Sequence, residues 1–418
     1  MSLLHVVVLA LTISVQPAAQ TPQDCVKAAR DFAAQRLKEL GGATGETIRL
    51  VTAERLTMIR ACAARFDLSK MPAAELGPLT ELYVEAQQLD LAQQALARGL
   101  ADQSIDPVSR ANLLAVAVRT TLRQPKSPER NALAERYMDR LDGLGLAALD
   151  SQITAHAALN GYYRGDDIDS GIIRHSTWLI STGKGLDAAR RKQYMNTIVA
   201  AHLNLAEARA GQGENDRALE LLNTAITDWA DSPAAVARVN DVLARYKLVG
   251  TAAPPIEAPS WLNRSGSDPV DLKGRATLLQ FTAHWCGPCK ESYPGMKRLL
   301  ERFGTRDFQV VFYTRTYGYF EGERNLSPEQ EIDRDRKYFA GYGFDLPIAV
   351  GSPSSIVIDG KSTFQEDPYE KAFAVSGIPQ INLIDADGKI RLVMIGYDDA
   401  NEEKLASIIE LVLKEKKR

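Results

Sequence analysis

The stretch LLQFTAHWCGPCKESYP, residues 278 to 294, places two cysteines three positions apart directly after an apolar run. The run is typical of a short buried strand, and the residues from Pro288 onward are typical of a helix. Cys286 is therefore predicted at the end of a strand and Cys289 one helical turn further on. The pair could be a redox dithiol, half of a metal site, or two buried core residues.

The predicted position favours redox chemistry. A cysteine at a helix start meets unpaired backbone N–H groups and the positive end of the helix dipole, which favours thiolate over thiol. A free cysteine with a pKa of about 8.5 is only about 3% thiolate at pH 7, so such a field raises its reactivity strongly. We expect Cys286 to be the nucleophile, and Cys289 to resolve the mixed disulfide that Cys286 forms.

Three other interpretations of the cysteine pair are a structural zinc site, inert core cysteines and a peroxidatic cysteine, and the sequence disfavours each of them. A structural zinc site needs four ligands, whereas the other two cysteines, Cys25 and Cys62, lie far away in the chain. Inert core cysteines would not require Gly287 and Pro288 between them. A peroxidatic cysteine would need a nearer hydroxyl and no resolving cysteine one turn away.

The composition excludes some classes of partner. The chain has 418 residues, which indicates two or three domains, and its formal net charge is -3. Residues 250–418 carry 22 Lys and Arg against 25 Asp and Glu, so neither half of the chain is basic. Binding to nucleic acid is not expected.

The N-terminal residues 1–20 contain an apolar run from Leu3 to Val15, followed by small residues at Ala18 and Ala19. This pattern predicts a signal peptide and hence a periplasmic or otherwise exported protein. If the segment is not cleaved, it could hold the protein at a membrane. A buried first helix or a misplaced start codon are the alternatives, because no Lys or Arg precedes the run.

Residues 21–249 are rich in Ala and Leu at helical spacing and predict an all-α domain. Two stretches resemble degenerate tetratricopeptide repeats, in which small and bulky residues alternate where two helices pack. Their characteristic positions are Tyr83, Ala92, Leu96 and Gly99 in the first stretch and Ala218, Leu222 and Ala225 in the second. The irregular spacing indicates a bundle or short solenoid of helix pairs, a surface of a kind that often binds protein partners.

Residues 250–262 contain three prolines and almost no charge, and we interpret them as a linker into a second domain, residues 263–418. Short apolar runs there predict strands, and residues 380–397 predict a hairpin turned at Asp387 and Gly388. Helices are predicted at 288–303, 327–340 and 402–414, and Ser327 and Gln330 are predicted to form a capping box at the start of the second. Strands that alternate with helices and end in a hairpin indicate an α/β domain with a mixed central sheet.

This second domain resembles the TlpA/ResA-like thioredoxin-fold proteins, which are envelope thiol-disulfide oxidoreductases. The resemblance rests on WCGPCK at residues 285–290, SGIPQINLIDADGKI at 376–390 and the preceding LKGRATLLQF. It implies that Pro379 is cis and faces the two cysteines, and that the Ile378 backbone pairs with an extended substrate. The residues implied to contact the substrate are Trp285, Gly287, Pro288, Ile378 and Pro379.

The chain departs from the family in two places. Gln280 stands where thioredoxin itself has a buried Asp, so Gln280 cannot accept the proton of Cys289 and the acceptor is not identified. Residues 314–345 form an insertion rich in Tyr, Phe and charge. We expect its aromatic residues to serve local packing more than substrate binding; if any insertion sets substrate choice, this one is the candidate.

The sequence leaves the roles of two further sets of residues undecided. Cys25 and Cys62 fall on consecutive predicted helices, where they could form a structural disulfide or remain two buried thiols. His284 is the one histidine near the cysteine pair, and we expect it to tune or flank the site and not to bind a metal.

The sequence thus predicts an exported protein-disulfide reductase with no metal and no cofactor other than the Cys286–Cys289 disulfide. It would act on a disulfide-containing protein, receive electrons from an upstream donor, and recruit a protein partner through its helical domain. The alternative is a helical scaffold whose thioredoxin-like part senses redox state without turnover.

Overall fold

The computed structural model of the chain describes residues 21–42, 45–166, 168–264, 270, 272–304, 307–358 and 361–415. The predicted signal peptide, residues 1–20, lies outside the described residues. The chain divides into two compact units, residues 1–162 and 163–418. The boundaries predicted at residues 21, 250 and 263 stay predictions.

The first unit is helical. Its helices are α1 Pro22–Glu39, α2 Gly45–Ala63, α3 Leu76–Glu85, α4 Leu89–Ala101, α5 Pro107–Leu122, α6 Pro128–Asp142 and α7 Leu149–Gly165, which continues into the second unit. Side-chain caps explain several of the starts: Thr21 forms a capping box with Asp24, and Asp106 accepts two backbone N–H bonds ahead of Pro107. Consecutive helices pack as pairs, α1 with α2, α3 with α4 and α5 with α6.

The residues that suggested repeats in the first unit lie in its interior. Tyr83, Ala92 and Leu96 are buried in the helix contacts. At Gly99 an added Cβ would lie 2.7 Å from Leu113 Cδ2, so a larger residue there would require the Leu113 side chain to shift. The burial agrees with the predicted packing, while the tetratricopeptide assignment itself stays a prediction.

Cys25 of α1 and Cys62 of α2 are joined by a disulfide, with their Cα atoms 6.0 Å apart. Cys25 is buried against the core of the unit, and Cys62 is partly buried. Of the two alternatives that the sequence left open, the structure has the disulfide.

The second unit begins with four more helices and continues into a sheet domain. The helices are α8 Asp169–Gly183, α9 Ala188–Gly211, α10 Asn215–Asp228 and α11 Pro233–Tyr246. Ala218, Leu222 and Ala225 of α10 are fully buried, as their spacing predicts. Pro233 begins α11, where its missing N–H costs no hydrogen bond.

The sheet domain alternates strands and helices. Its elements are β1 Ser260–Leu262, β2 Ala276–Phe281, α12 Gly287–Phe303, β3 Phe308–Thr314, β4 Tyr319–Phe320, β5 Glu323–Arg324, α13 Pro328–Gly341, β6 Ile348–Val350, β7 Ser355–Ile358, β8 Lys361–Phe364, α14 Pro368–Ala372, β9 Gln380–Ile384, β10 Ile390–Ile395 and α15 Asp399–Glu415. The predicted strands, the hairpin and the three predicted helices are confirmed. The capping box of Ser327 and Gln330 also forms at the start of α13.

Six of these strands form one mixed sheet in the order β1-β6-β3-β2-β9-β10. Strands β2, β3 and β6 are parallel, and β9, β10 and β1 run antiparallel to their neighbours. All six residues of β2 are buried because β2 lies inside the sheet and both of its faces are covered. This is the thioredoxin fold that the sequence predicts.

The two faces of the sheet have separate apolar cores. One core joins the sheet to α12, α13 and α15 through residues such as Tyr293, Phe339 and Leu405. The other lies under β1 and α14 and includes Trp261 and Phe373. Among the described residues, no helix is both long and apolar enough to cross a membrane.

The Cys25–Cys62 disulfide yields a stability prediction. It closes a separation of 37 residues, for which the chain-entropy model gives about 3 to 4 kcal/mol of stabilisation. Replacing both cysteines with alanine should therefore increase hydrogen exchange in peptides from α1 and α2, while the exchange of β2 and α12 stays unchanged. Equal protection of α1 and α2 in the variant and the wild type would show that the disulfide does not stabilise this helix pair.

Candidate active site

The end of β2 and the start of α12 place the cysteine pair. After Phe281 the chain leaves the sheet, and Cys286 becomes the N-cap of α12, with Pro288 in the first turn. The backbone N–H of Cys289 donates to Cys286 Sγ over 3.1 Å. A sulfur that accepts a helix N-terminal N–H is placed where negative charge is stabilised.

The two cysteines form a disulfide in the structure, with Cα atoms 5.2 Å apart. Cys286 keeps 3% of its surface exposed and Cys289 keeps none. Of the two residues, Cys286 is therefore the one that keeps some contact with solvent.

The loop before β9 faces this pair. The Ile378–Pro379 peptide bond is cis, as the family resemblance implies. The Ile378 carbonyl oxygen lies 3.7 Å from Cys286 Sγ, although the two residues are 92 positions apart. Ile378 is half-buried while Pro379 is buried, so the backbone of Ile378 borders the surface beside Cys286.

The remaining predicted site residues surround the disulfide on its open side. Trp285 is 46% exposed, an unusual state for a side chain of this size. Its ring meets the edge of Tyr317 at a centroid distance of 5.3 Å. Gly287 and Pro288 are also exposed, and among the described residues no atom beyond its chain neighbours and its own helix backbone lies within 4 Å of a Cβ placed at Gly287. The structure thus brings Trp285, Gly287, Pro288, Ile378 and Pro379 together around Cys286.

Gln280 links β2 to α12 below the pair. Its Nε2 donates to Ser292 Oγ over 2.9 Å, and Ser292 Oγ donates to the carbonyl of Cys289 over 2.7 Å. Gln280 Oε1 is buried and has no hydrogen-bond partner among the described residues. Gln280 therefore serves the packing of the helix on the strand.

His284, just before Trp285, is buried against the insertion. Its Nε2 lies 3.3 Å from Glu331 Oε1, and both side chains are almost completely excluded from solvent. Glu331 also accepts the backbone N–H groups of Tyr317 over 2.8 Å and Gly318 over 2.7 Å. One carboxylate therefore holds the insertion against the active-site loop.

The aromatic residues of the insertion pack around this contact. Tyr317, Tyr319 and Phe320 lie at centroid distances of 4.7 to 5.9 Å from the His284 ring. This arrangement serves local packing, and through Tyr317 it extends to the exposed Trp285.

Asp335 is a buried carboxyl group that the sequence analysis missed. It lies one turn after Glu331 on α13, is 0% exposed, and neither of its oxygens has a hydrogen-bond partner among the described residues. Burial, and then the charge of Glu331, raise the pKa of Asp335 to about 8. The spacing of Glu331, Asp335 and Phe339 at four-residue steps shows both acids on the apolar face of a predicted helix, and this signal could have identified them.

Part of the chain is similar to known proteins. No protein-family model matches the chain. The chain is 25% identical over 126 residues to the thiol-disulfide oxidoreductase ResA of Bacillus subtilis, an alignment that covers 30% of this chain and 56% of ResA. It is 24% identical over 172 residues to the protein DipZ of Mycobacterium tuberculosis, which covers 40% of this chain and 22% of DipZ.

The chain thus spans little more than half of the Bacillus subtilis relative. Among solved structures, a thiol-disulfide isomerase from Corynebacterium glutamicum is 22% identical, with 38% of this chain and 96% of that chain covered and a TM-score of 0.30.

The burial of Asp335 yields a prediction of pH dependence. Unfolded, this carboxyl loses its proton near pH 4, whereas in the folded protein it keeps the proton until about pH 8. Raising the pH from 4 to 8 therefore favours the unfolded state, and the free energy of unfolding should fall by up to about 1.4 kcal/mol per unit of pKa difference. The variant Asp335→Asn should lack this fall and should gain stability relative to wild type across the same window.

The measurement is urea unfolding followed by tryptophan fluorescence at pH 4, 6 and 8. Asp333→Asn, an exposed change on the same helix, is the matched control and should follow the wild type. Parallel curves for wild type and Asp335→Asn would show that Asp335 is not protonated in the folded protein at neutral pH.

Proposed function

We propose that this protein reduces disulfides in other proteins through Cys286 and Cys289, because its C-terminal domain resembles the TlpA/ResA-like thioredoxin fold. One observation carries the proposal: Cys286 Sγ accepts the N–H of Cys289 at the start of α12 and faces the Ile378 carbonyl beside the cis proline. The similarity to ResA supports the reaction class.

In the proposed reaction the reduced Cys286 thiolate attacks one sulfur of a substrate disulfide. A mixed disulfide forms, and the other substrate sulfur leaves as a thiolate, which takes a proton from solvent. Cys289 then loses its proton to solvent and attacks Cys286 Sγ, which releases the second substrate thiolate. Two electrons pass to the substrate, and the Cys286–Cys289 disulfide seen in the structure is the product state.

An upstream dithiol would return the pair to the reduced state, with no further cofactor. The substrate would lie along Trp285, Gly287 and Pro288 on one side and Ile378 and Pro379 on the other. The insertion, residues 314–345, would contribute to substrate choice because Tyr317 contacts Trp285.

The helical region would recruit a protein partner or a dedicated substrate, in keeping with its tetratricopeptide-like pattern. Export to the cell envelope agrees with the predicted signal peptide. The Cys25–Cys62 disulfide also favours an oxidising compartment, since structural disulfides are rare in the cytosol.

The test is insulin reduction with dithiothreitol as electron source. Wild type should accelerate it, and Cys286→Ser should abolish the acceleration because the attacking sulfur is gone. Glu291→Gln, an exposed change on α12, is the matched control and should retain the wild-type rate. Equal rates for wild type and Cys286→Ser would exclude the proposed reaction.

The same proposal predicts that Cys289→Ser accumulates covalent mixed disulfides with envelope proteins, visible on non-reducing gels and lost with dithiothreitol. If a Cys286→Ser/Cys289→Ser protein instead captures the same partners as wild type and Cys289→Ser traps none, the protein is a scaffold without thiol exchange.

A further inference from the structure

The segment that leaves α11 is paired with the sheet domain. Gly250 N donates to Ile390 O over 2.7 Å, Ile390 N donates to Thr251 O over 2.9 Å, and Ala253 N donates to Gly388 O over 2.8 Å. These bonds extend the start of β10 by a short antiparallel pairing. The end of α11 is therefore held in place relative to the sheet, within one compact unit.

Apolar contacts strengthen this attachment. Leu248, Val249 and Ala253 pack against the core that contains Phe281 and Phe373. Ile378, whose carbonyl faces Cys286, packs at the edge of the same core. The chain after α11 and the loop before β9 thus share one packed surface.

A second contact lies at the other end of these helices. Asp169 of α8 is 3.9 Å from Lys404 Nζ of α15 and accepts a hydrogen bond from Gln212 after α9. At Gly211 an added Cβ would lie 2.8 Å from Lys404 Nζ, so the end of α9 directly adjoins α15. With two separate attachments, α8–α11 cannot rotate freely about the segment at residue 250.

Arg245, in the last turn of α11, reaches the active-site loop itself. Its Nη1 donates a hydrogen bond to Ser376 Oγ across 131 residues of sequence. Ser376 is exposed and is followed by Gly377, Ile378 and the cis Pro379. A helix of the α-helical region therefore contacts the same loop that faces Cys286.

We propose that α11 is part of the substrate-binding site and that Arg245 positions the backbone of residues 376–378 for an extended protein substrate. This inference rests on the proposed disulfide reductase function and specifies which substrates need the contact. A protein strand that pairs with the Ile378 backbone requires residues 376–378 to keep a fixed position relative to Cys286, because misplaced backbone groups lose their hydrogen bonds. A short disulfide such as glutathione disulfide has few backbone groups to pair with the loop, so its reaction depends mainly on Cys286.

The experiment compares Arg245→Gln with Arg238→Gln in the full chain. Arg238 is exposed on the same helix, which makes it the matched control. Two reactions are measured: steady-state reduction of insulin, and single-turnover oxidation of the pre-reduced protein by glutathione disulfide. Arg245→Gln should raise KM for insulin about tenfold, in line with the loss of one hydrogen bond to a charged group, while kcat and the glutathione reaction stay within twofold of wild type. Arg245→Lys should recover part of the lost affinity.

Hydrogen exchange gives an independent readout. The amides between Ser376 and Ile381 should exchange faster in Arg245→Gln than in Arg238→Gln, with α12 unchanged.

Three other outcomes of the kinetic experiment would each contradict a specific part of the proposal. Insulin kinetics of Arg245→Gln that equal those of Arg238→Gln would overturn the role of α11 and leave the reductase function intact. Equal losses toward insulin and glutathione disulfide would show a general structural defect and would also overturn it. A wild-type protein that reacts with neither substrate would overturn the proposed function and, with it, this inference.

Discussion

The hydrogen bond from the Cys289 amide to Cys286 Sγ is the contact on which the rest of the site depends. Five residues separate the end of the buried strand β2 from the start of α12, and the last of them, Cys286, becomes the N-cap. Antiparallel pairing of β9 with β2 then brings the Ile378 carbonyl to the same sulfur. The strand order, the start of α12 and the position of the loop before β9 therefore together determine the surroundings of Cys286 Sγ.

Two other parts of the chain contact the loops that surround this sulfur. On one side the insertion is fixed by Glu331, which holds the backbone of Tyr317 and Gly318 and lies against His284. On another side Arg245 of α11 contacts Ser376. The thioredoxin fold supplies the dithiol, while the insertion and the helices supply surroundings particular to this chain.

Local signals account for what the sequence predicted well. The apolar run of β2, the Asp387–Gly388 turn and the Ser327 cap each depend on a few neighbouring residues, and the structure has all three. The three-residue strand β1 has no periodicity to detect, since it exists through pairing with β6, far along the chain. The contact of Arg245 with Ser376 is likewise tertiary, and no short window of sequence contains both residues. The Cys25–Cys62 pairing stayed open because sequence does not show which helix faces meet.

The reaction proposed for Cys286 requires the start of α12 to make this residue a reactive thiolate. The most direct measurement is the rate of alkylation of the reduced protein by iodoacetamide as a function of pH, with mass spectrometry to locate the modified cysteine. We expect modification of Cys286 alone, with a half-maximal rate well below pH about 8.5, the pKa of a free thiol. A half-maximal rate at or above that pH, or equal modification of Cys286 and Cys289, would contradict it.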